Sequence, residues 1–440
     1  MRILFSIIDF VFFALLTAAM ITVRYGSFSS NTFIITFEAL IPSYLISSIV
    51  LWVFSFYDFN LIRKKRLDYK NIIIAFTLSV LMSSFCIYFA ASLLNLATPK
   101  LILLTVLLLY FLYTYISRRI YAAVSITQQK LMLLGKSNTI KEIAKELTHY
   151  KDLKVIGPYE TTQQAADIKP EEIDIIIMGS NFLTENKNSW QFISGNYLNK
   201  GVLLMTDYNF YEYLFKRCSK GSLKNNMWLI RGVAARQQEK YYPVIKRAID
   251  IMFCLVLMPV LLPVGVLTYL AIKFIDGIPP FFFQERVGKN EKDIFIYKFR
   301  TMKPNTEEIT KVGSILRRFR LDEIPQLINI FKGDISIVGP RPVWNEEYHF
   351  LNKYLPCHNI RSIIKPGLTG WAQLNFKAPP TYCVREDLKN REHIPDSTFD
   401  AAKTRLCYDI WYIKNRSFFL DIEIMFKTAK RAFIKDKTFD

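Results

Sequence analysis

Residues 251–272 read IMFCLVLMPVLLPVGVLTYLAI, a run of 22 residues without a charged side chain. A helix of roughly 20 apolar residues crosses a bilayer core about 30 Å thick, so the length predicts a membrane helix. Pro259 and Pro263 lie near the middle, and each removes a backbone donor and clashes with the preceding turn. Basic residues flank both ends, which suits two ends on one side of the membrane. Residue chemistry alone leaves a spanning helix and a re-entrant helix both open.

Upstream of this segment, the chain contains further apolar stretches, at 3–23, 39–57, 71–98 and 101–117. Their lengths predict a bundle of four membrane helices over residues 1–120. The loop cluster 63–66 reads RKKR, and the last stretch ends at Arg118 and Arg119. The positive-inside rule therefore predicts that the N-terminus, this loop and everything after Arg119 lie in the cytosol. Asp9 lies only two turns from the N-terminus, so we expect it near the cytosolic interface rather than as a buried functional carboxylate.

A different pattern follows. Short apolar runs lie at 131–135, 153–157, 173–179 and 201–205, and a helix-like stretch lies at 139–147. This alternation predicts a parallel α/β sheet, a Rossmann-like cytosolic domain over residues 130–230. The sequence Gly135-Lys136-Ser137 could begin a phosphate-binding turn, but the G-x-G-x-x-G fingerprint needs glycines where Ser137 and Ile140 stand. The favoured interpretation is a Rossmann-like domain with no bound nucleotide, or with only a regulatory one.

The composition suits a membrane protein that meets anionic partners. Hydrophobic residues make up 51% of the chain, and the formal net charge is +19. Such a charge suggests nucleic acid, an anionic lipid surface or phosphorylated substrates, and the apolar excess favours the membrane. A nucleic-acid partner is not expected, because it would leave the apolar half unexplained. The six cysteines form no CxxC pair and the four histidines no HExxH pair, so a structural metal held by soft ligands is not expected.

Two adjacent acids, Asp322 and Glu323, lie within five positions of Arg317, Arg318 and Arg320. Neighbours on a helix point about 100° apart, so the two acids would not duplicate one role. One could be a nucleophile while the other binds a hard cation such as Mg²⁺, whose ligands are commonly carboxylates plus substrate phosphates. Arginine forks suit phosphate oxygens. The alternative is a helix with surface ion pairs.

Arg341 lies between two prolines in the stretch VGPRP (338–342), a stiff turn that would hold its guanidinium in place at low entropic cost. The aromatic cluster 281–283 follows the apolar segment directly and suits a membrane interface. Together with the acids and arginines, these features predict phosphoryl chemistry at a membrane surface.

Residues 240–440 resemble the bacterial sugar transferase family, the polyprenyl-phosphate hexose-1-phosphate transferases or monotopic phosphoglycosyl transferases. The resemblance runs through seven ordered motifs, KRAID, PPFFFQERVG, YKFRTM, LDEIPQL, GDISIVGPRP, KPGLTGWAQ and YDIWYI. The upstream half is similar to the long form of the family, with four spans and a Rossmann-like domain. The resemblance implies a C-terminal α/β-type catalytic domain anchored by a re-entrant membrane helix at about 250–272, broken at Pro263. One departure is Leu262, where relatives commonly carry Ser.

The resemblance also implies roles for single residues. Asp322 would be the nucleophile that forms a phosphosugar–enzyme intermediate, and Glu323 would be a Mg²⁺ ligand. Basic positions near the substrate phosphates are matched by Lys298, Arg300, Arg317 and Arg341.

The implied activity moves a sugar-1-phosphate from a UDP-sugar to undecaprenyl phosphate and releases UMP, the first membrane step of exopolysaccharide, capsule or O-antigen synthesis. The implied location is the bacterial inner membrane, with the catalytic domain on the cytosolic face. The sugar stays open, with glucose or galactose favoured on family grounds alone, and a homodimer also stays open. An alternative from another class is a catalytically silent membrane scaffold of a polysaccharide-synthesis complex. It predicts loss of the acidic pair or of GPRP, and both are intact.

Overall fold

The computed structural model describes residues 2–25, 30–53, 56–57, 69–94, 100–124, 129–150, 153–180, 182, 189–224, 232–234, 239, 241–304, 306, 308–355, 357–376 and 396–433. The basic cluster at 63–66 lies outside these residues. The chain divides into two compact units, Met1–Leu131 with Thr148–Val155, and Met132–Leu147 with Ile156–Asp440. Apolar helices come first and α/β structure follows, so the sequence prediction is confirmed in this coarse form.

The first unit contains four long helices, α1 (Arg2–Tyr25), α2 (Ser30–Val53), α3 (Tyr69–Leu94) and α4 (Lys100–Val124). Helix α1 packs against α2 and α4, and α3 packs against the same two helices. By length and composition α1 and α4 are apolar enough to cross a membrane, whereas the described apolar portions of α2 and α3 are shorter. A crossing by all four helices therefore stays a prediction.

Asp9 is completely buried inside this unit, whereas its position near the cytosolic interface stays a prediction. Its Oδ1 accepts a hydrogen bond from Arg118 Nη1 at 2.8 Å, and its Oδ2 accepts one from the Tyr57 hydroxyl at 2.6 Å. Arg118 is itself buried, and its guanidinium forms an ion pair with the same carboxylate. A charge away from water needs such a partner, and sequence reasoning missed it because the two residues lie 109 positions apart.

The α/β module follows, with elements β1 (Gln129–Leu134), α5 (Asn138–Leu147), β2 (Leu153–Tyr159), β3 (Ile175–Met178), α6 (Ser189–Asn196), β4 (Leu203–Thr206) and α7 (Asp207–Phe215). The strand order is β2-β1-β3-β4, and β3 pairs with β4 in parallel. The hydroxyl of Ser137 donates to Asp207 Oδ2 at 2.6 Å and accepts from the Ile140 amide at 3.1 Å. The Ser137 hydroxyl in the turn after β1 is therefore already hydrogen-bonded within the protein.

Residues 241–433, which the resemblance assigns to catalysis and which are called the catalytic part below, begin with α8 (Tyr241–Ala271). This helix continues into a π-helical turn at Ile272–Asp276. Strands β5 (Phe281–Val287) and β6 (Asp293–Phe299) form an antiparallel pair, and β7 (Ser336–Val338) pairs in parallel with β8 (Gly367–Thr369). The remaining helices are α9 (Lys311–Phe319), α10 (Gln326–Lys332), α11 (Asn345–Tyr354), α12 (Trp371–Asn375), α13 (Asp396–Asn415) and α14 (Phe418–Phe433).

Helix α8 runs without interruption through Pro259 and Pro263, so the break predicted at Pro263 does not divide it into two helices. A proline removes one hydrogen bond and bends a helix, but it need not end the helix. The irregular geometry comes later, in the π-helical turn.

Both ends of α8 contact the same catalytic part. Near its start, Asp250 Oδ1 accepts a hydrogen bond from the Ile337 amide at 3.1 Å. At its far end, Ile272 packs in an apolar cluster with Phe299 and Leu316. Asp250 and Ile272 would lie about 33 Å apart along a straight helix. A helix that crossed the bilayer would carry these ends to opposite faces, so the contacts favour a re-entrant path.

Candidate active site

The two acids lie on a single 3-10 turn, Leu321–Glu323, between α9 and α10. Thr310 caps α9 by accepting a hydrogen bond from the Gly313 amide at 2.9 Å. Arg320 ends the helix in the left-handed conformation, with φ 55°. A residue other than glycine pays about 1 kcal/mol or more for that conformation, so packing must hold the turn. Asp322 and Glu323 are both half-buried there.

Glu323 is the acid that contacts cations. Its Oε1 lies 3.4 Å from Lys298 Nζ, and its Oε2 lies 3.7 Å from an Arg320 guanidinium nitrogen. Burial lowers the pKa of Lys298, and the nearby charge of Glu323 opposes that shift. Glu323 thereby stabilises the charged form of Lys298 next to the acidic pair.

Asp322 has a different environment. Burial raises the pKa of Asp322, and the negative charge of Glu323 raises it further. The positive charges of Lys298 and Arg317 oppose this shift. Because a higher pKa accompanies a more basic oxygen, this environment suits a carboxylate that attacks phosphorus.

Arg341 is carried by a turn whose backbone is fixed on both sides. The Gly339 amide donates to the Thr369 carbonyl, and the Gly367 amide donates to the Pro340 carbonyl, both at 2.9 Å. Desolvation by the surrounding protein lowers the pKa of Arg341, and the negative charge of Glu323 opposes this shift. The side chain nevertheless keeps much of its surface exposed to water, so the guanidinium stays charged at neutral pH. Arg341 is therefore a fixed positive charge that a substrate can reach.

The other two predicted basic residues have different contacts. Arg317 donates from Nε to the Thr301 hydroxyl at 2.9 Å, and its charge acts on Asp322. Arg300 instead donates to the carbonyls of Pro279 and Phe281, at 3.0 and 3.2 Å. Lys298, Arg317 and Arg341 thus act electrostatically on the acidic pair, whereas Arg300 holds the start of β5. A phosphate contact from Arg300 stays a prediction.

Helix α8 passes directly beneath the acidic turn. A Cβ built on Gly265 would lie 3.6 Å from Ile324 Cγ2, one residue after Glu323. Tyr269 packs on Phe281, with ring centroids 5.8 Å apart. The acids therefore lie next to an apolar helix, where a lipid-borne substrate would arrive.

Sequence reasoning missed a buried ion pair behind the turn that carries Arg341. Arg361 Nε lies 3.0 Å from Asp409 Oδ2, and both side chains are buried. Arg361 also donates to the Arg341 carbonyl at 3.1 Å. Asp409 belongs to the motif YDIWYI, which signalled its importance but gave no partner.

The acidic pair also bears on Mg²⁺ binding. Among the described residues, no group of three or more His, Cys, Asp or Glu side chains could hold a metal ion. Mg²⁺ commonly takes only one or two carboxylates and completes its shell with water and substrate phosphates. Asp322 and Glu323 supply such hard oxygen donors, so these residues fit a Mg²⁺ ion that arrives with a diphosphate.

Comparison with known proteins gives the family. The family model for bacterial sugar transferases matches residues 241–435. An N-acetylgalactosaminephosphotransferase of Aeromonas hydrophila, which acts on UDP-N-acetylgalactosamine and undecaprenyl phosphate, is 34% identical over 201 residues, 43% of this chain and 44% of that protein. The UDP-glucose:undecaprenyl-phosphate glucose-1-phosphate transferase of Escherichia coli (strain K12) is 35% identical over 205 residues, 43% of this chain and 40% of that protein.

The match therefore spans less than half the length of these two relatives. A third relative, the exopolysaccharide production protein PSS of Rhizobium leguminosarum bv. phaseoli, is 34% identical over 212 residues. That alignment covers 44% of this chain and 98% of the relative. The family expected from the seven motifs is confirmed, and the chain belongs to the bacterial sugar transferase family.

Proposed function

We propose that this protein transfers a sugar-1-phosphate from a UDP-sugar to undecaprenyl phosphate, giving undecaprenyl-diphosphate-sugar and UMP. The observation that carries the proposal is the position of Asp322. Its half-buried carboxylate lies near Lys298 and Arg317, on a turn that packs against the apolar helix α8. The names of the Aeromonas hydrophila and Escherichia coli relatives, both undecaprenyl-phosphate transferases, support the same reaction class.

In the proposed mechanism, a carboxylate oxygen of Asp322 attacks the phosphorus that carries the sugar. A new bond forms between that oxygen and phosphorus, and the bond to the bridging oxygen breaks. UMP leaves with the electron pair. A phosphate oxygen of undecaprenyl phosphate then attacks the same phosphorus, and the Asp322 carboxylate is released unchanged. Each step therefore exchanges one phosphorus–oxygen bond for another.

The basic residues stabilise the charge that develops during both steps. Arg341 offers a planar fork to the phosphate oxygens, and its turn is fixed before substrate arrives. Lys298 and Arg317 hold positive charge next to Asp322. Glu323 would hold a Mg²⁺ ion, which would neutralise the diphosphate and polarise the departing UMP.

We also propose that this chemistry takes place on the cytosolic face of the inner membrane. The two ends of α8 contact one catalytic part, which supports a helix that enters and leaves on the same side. Nucleotide sugars are made in the cytosol, so the donor would reach the acidic turn from that side.

The test is a donor panel. Purified protein, undecaprenyl phosphate and Mg²⁺ are incubated with UDP-glucose, UDP-galactose and their N-acetyl forms, and UMP release is measured for each. We expect UMP release with at least one donor. Without the lipid, we expect no UMP release beyond a single turnover. A protein that releases no UMP with any donor would instead act as a silent scaffold.

A further inference from the structure

One of the contacts between the α/β module and the catalytic part is made by a buried indole. Trp371 is 3% exposed, and its Nε1 donates a hydrogen bond to the Lys216 carbonyl at 2.8 Å. A buried indole N–H needs an acceptor, because leaving it unpaired costs free energy. Lys216 lies in the module, outside the catalytic domain at 240–440. The motif GWAQ therefore takes its hydrogen-bond partner from outside residues 241–435, the part that the family model matches.

The position of this acceptor is fixed from the module side. Lys216 adopts the left-handed conformation, with φ 51°, and its amide caps α7 by donating to the Glu212 carbonyl at 2.9 Å. The Glu212 carboxylate binds Lys414 of α13, with Nζ 3.0 Å from each of its oxygens. The two side chains are only 12% and 9% exposed. The last turn of α7 is thus joined to α13 by an ion pair that little water reaches.

Trp371 in turn is coupled to the turn that carries Arg341. Gly370 precedes Trp371, and a Cβ on Gly370 would clash with the Gly339 carbonyl oxygen, so the two backbones touch. The Thr369 carbonyl also accepts the Gly339 amide at 2.9 Å. Packed backbones without free space transmit displacement, so a shift of Trp371 moves the Arg341 turn.

We infer that the α/β module is a positioning element of the active site: Glu212 and the Lys216 carbonyl hold Trp371, and Trp371 holds the turn that presents Arg341. The module touches no reacting atom in this arrangement. The inference rests on the proposed function, because it assigns a role in that reaction to residues outside the catalytic domain.

The first experiment removes the indole donor. Trp371→Phe keeps an aromatic ring but leaves the Lys216 carbonyl without its partner. We expect kcat for UMP release to fall about tenfold, with a smaller change in the KM for the UDP-sugar. In the Arg341→Ala background the same substitution should change kcat less than twofold, because its effect is relayed through Arg341. An equal fall in both backgrounds would overturn the inference.

The second experiment needs no turnover. Hydrogen exchange is measured by mass spectrometry in full-length Glu212→Gln protein. We expect faster exchange in peptides covering 336–342 and 367–375, and wild-type exchange in Lys414→Arg, which keeps the charge. The matched control is Lys220→Gln, because Lys220 pairs with Asp400 at 2.6 Å but these side chains are 40% and 58% exposed. Such an exposed pair contributes little.

These readouts separate two failures. If wild-type protein releases no UMP, the proposed function fails. Hydrogen exchange still tests whether the α/β module is coupled to the Arg341 turn. If wild-type protein is active and Glu212→Gln leaves exchange at both segments unchanged, the inference fails. Equal acceleration by Lys220→Gln would also overturn it, since the buried ion pair would then have no special role.

Discussion

Asp322 and Glu323 are adjacent acids whose surroundings differ, and the roles proposed for them rest on that difference. Glu323 has two cations within 4 Å, whereas burial and its neighbour raise the pKa of Asp322. Asp322→Asn should reduce turnover by roughly 10³-fold or more, because an amide cannot replace a carboxylate nucleophile. Intact-protein mass spectrometry with UDP-sugar and no lipid should detect a phosphosugar adduct on wild-type protein only. Wild-type turnover in Asp322→Asn would rule out the covalent mechanism.

Glu323→Gln and Arg341→Ala should fail in different ways. The first variant should need more Mg²⁺ for half-maximal rate, since carboxylate and diphosphate share the cation. The second loses a fixed charge that supports the phosphate, so we expect a fall of roughly 10²–10³-fold that Mg²⁺ does not restore. The measurement is a Mg²⁺ titration of UMP release. Identical titration curves for the two variants would contradict the separate roles.

His358 gives a pH dependence to stability. It is buried beside Arg361 and Arg405, and burial and these two charges lower its pKa to about 2. In the unfolded chain His358 binds a proton near pH 6.5, whereas in the folded chain it stays neutral there. Its contribution to the free energy of unfolding is therefore fully present above pH 6.5. It then falls by about 1.4 kcal/mol per pH unit below that value. The thermal midpoint of solubilised protein should therefore drop from pH 7 to 5, and less steeply in His358→Gln.

The control for this experiment is His349→Gln, which alters an exposed ring and should keep the wild-type slope. If the thermal midpoint of His358→Gln falls with pH as steeply as that of the wild-type protein, groups other than His358 set the acid sensitivity.

Among the helices and strands, α8 decides where the active site lies. Each of its prolines can cost a straight helix about 3 kcal/mol. Replacing Pro259 and Pro263 with Ala should straighten α8 and favour a true span, with activity lost in proportion. The measurement is labelling of Lys289→Cys in intact cells by an impermeant thiol reagent, in an active background without native cysteines. Label should appear only in the double variant.

The matched control is Pro42→Ala, which removes an exposed proline from inside α2. It should leave Lys289→Cys unlabelled. Labelling of Lys289→Cys with both α8 prolines present would overturn the re-entrant path.

Local patterns predicted the apolar helices and the four strands of the α/β module. The stretch 139–147 was predicted as helix, and α5 runs from Asn138 to Leu147. The run 153–157 was predicted as a strand, and β2 continues to Tyr159. Periodicity sufficed for α5, because its buried residues Ile140, Ile143 and Leu147 recur at helical spacing. The uninterrupted α8 was missed, because prolines signal a weak point in a helix but not whether neighbouring contacts preserve it.

For the molecule as a whole, the unpredicted features are contacts between distant residues. The motifs singled out Asp322, Glu323 and Arg341, and in the structure the charges of both acids act on Arg341. The ion pair of Arg361 with Asp409 and the bond from Trp371 to Lys216 left no pattern in the sequence. Such pairs depend on tertiary packing, and a single sequence without homologues does not record which distant groups meet.

The buried pair of Asp9 with Arg118 has a consequence for biogenesis. Asp9 in α1 precedes Arg118 in α4 by 109 residues, so the ribosome makes α1 well before the partner of its carboxylate exists. Lipid solvates a carboxyl group poorly, so we expect α1 to reach its final packing only after α4 has been synthesised. A contact between two residues that lie far apart in the sequence thus couples the two helices during assembly.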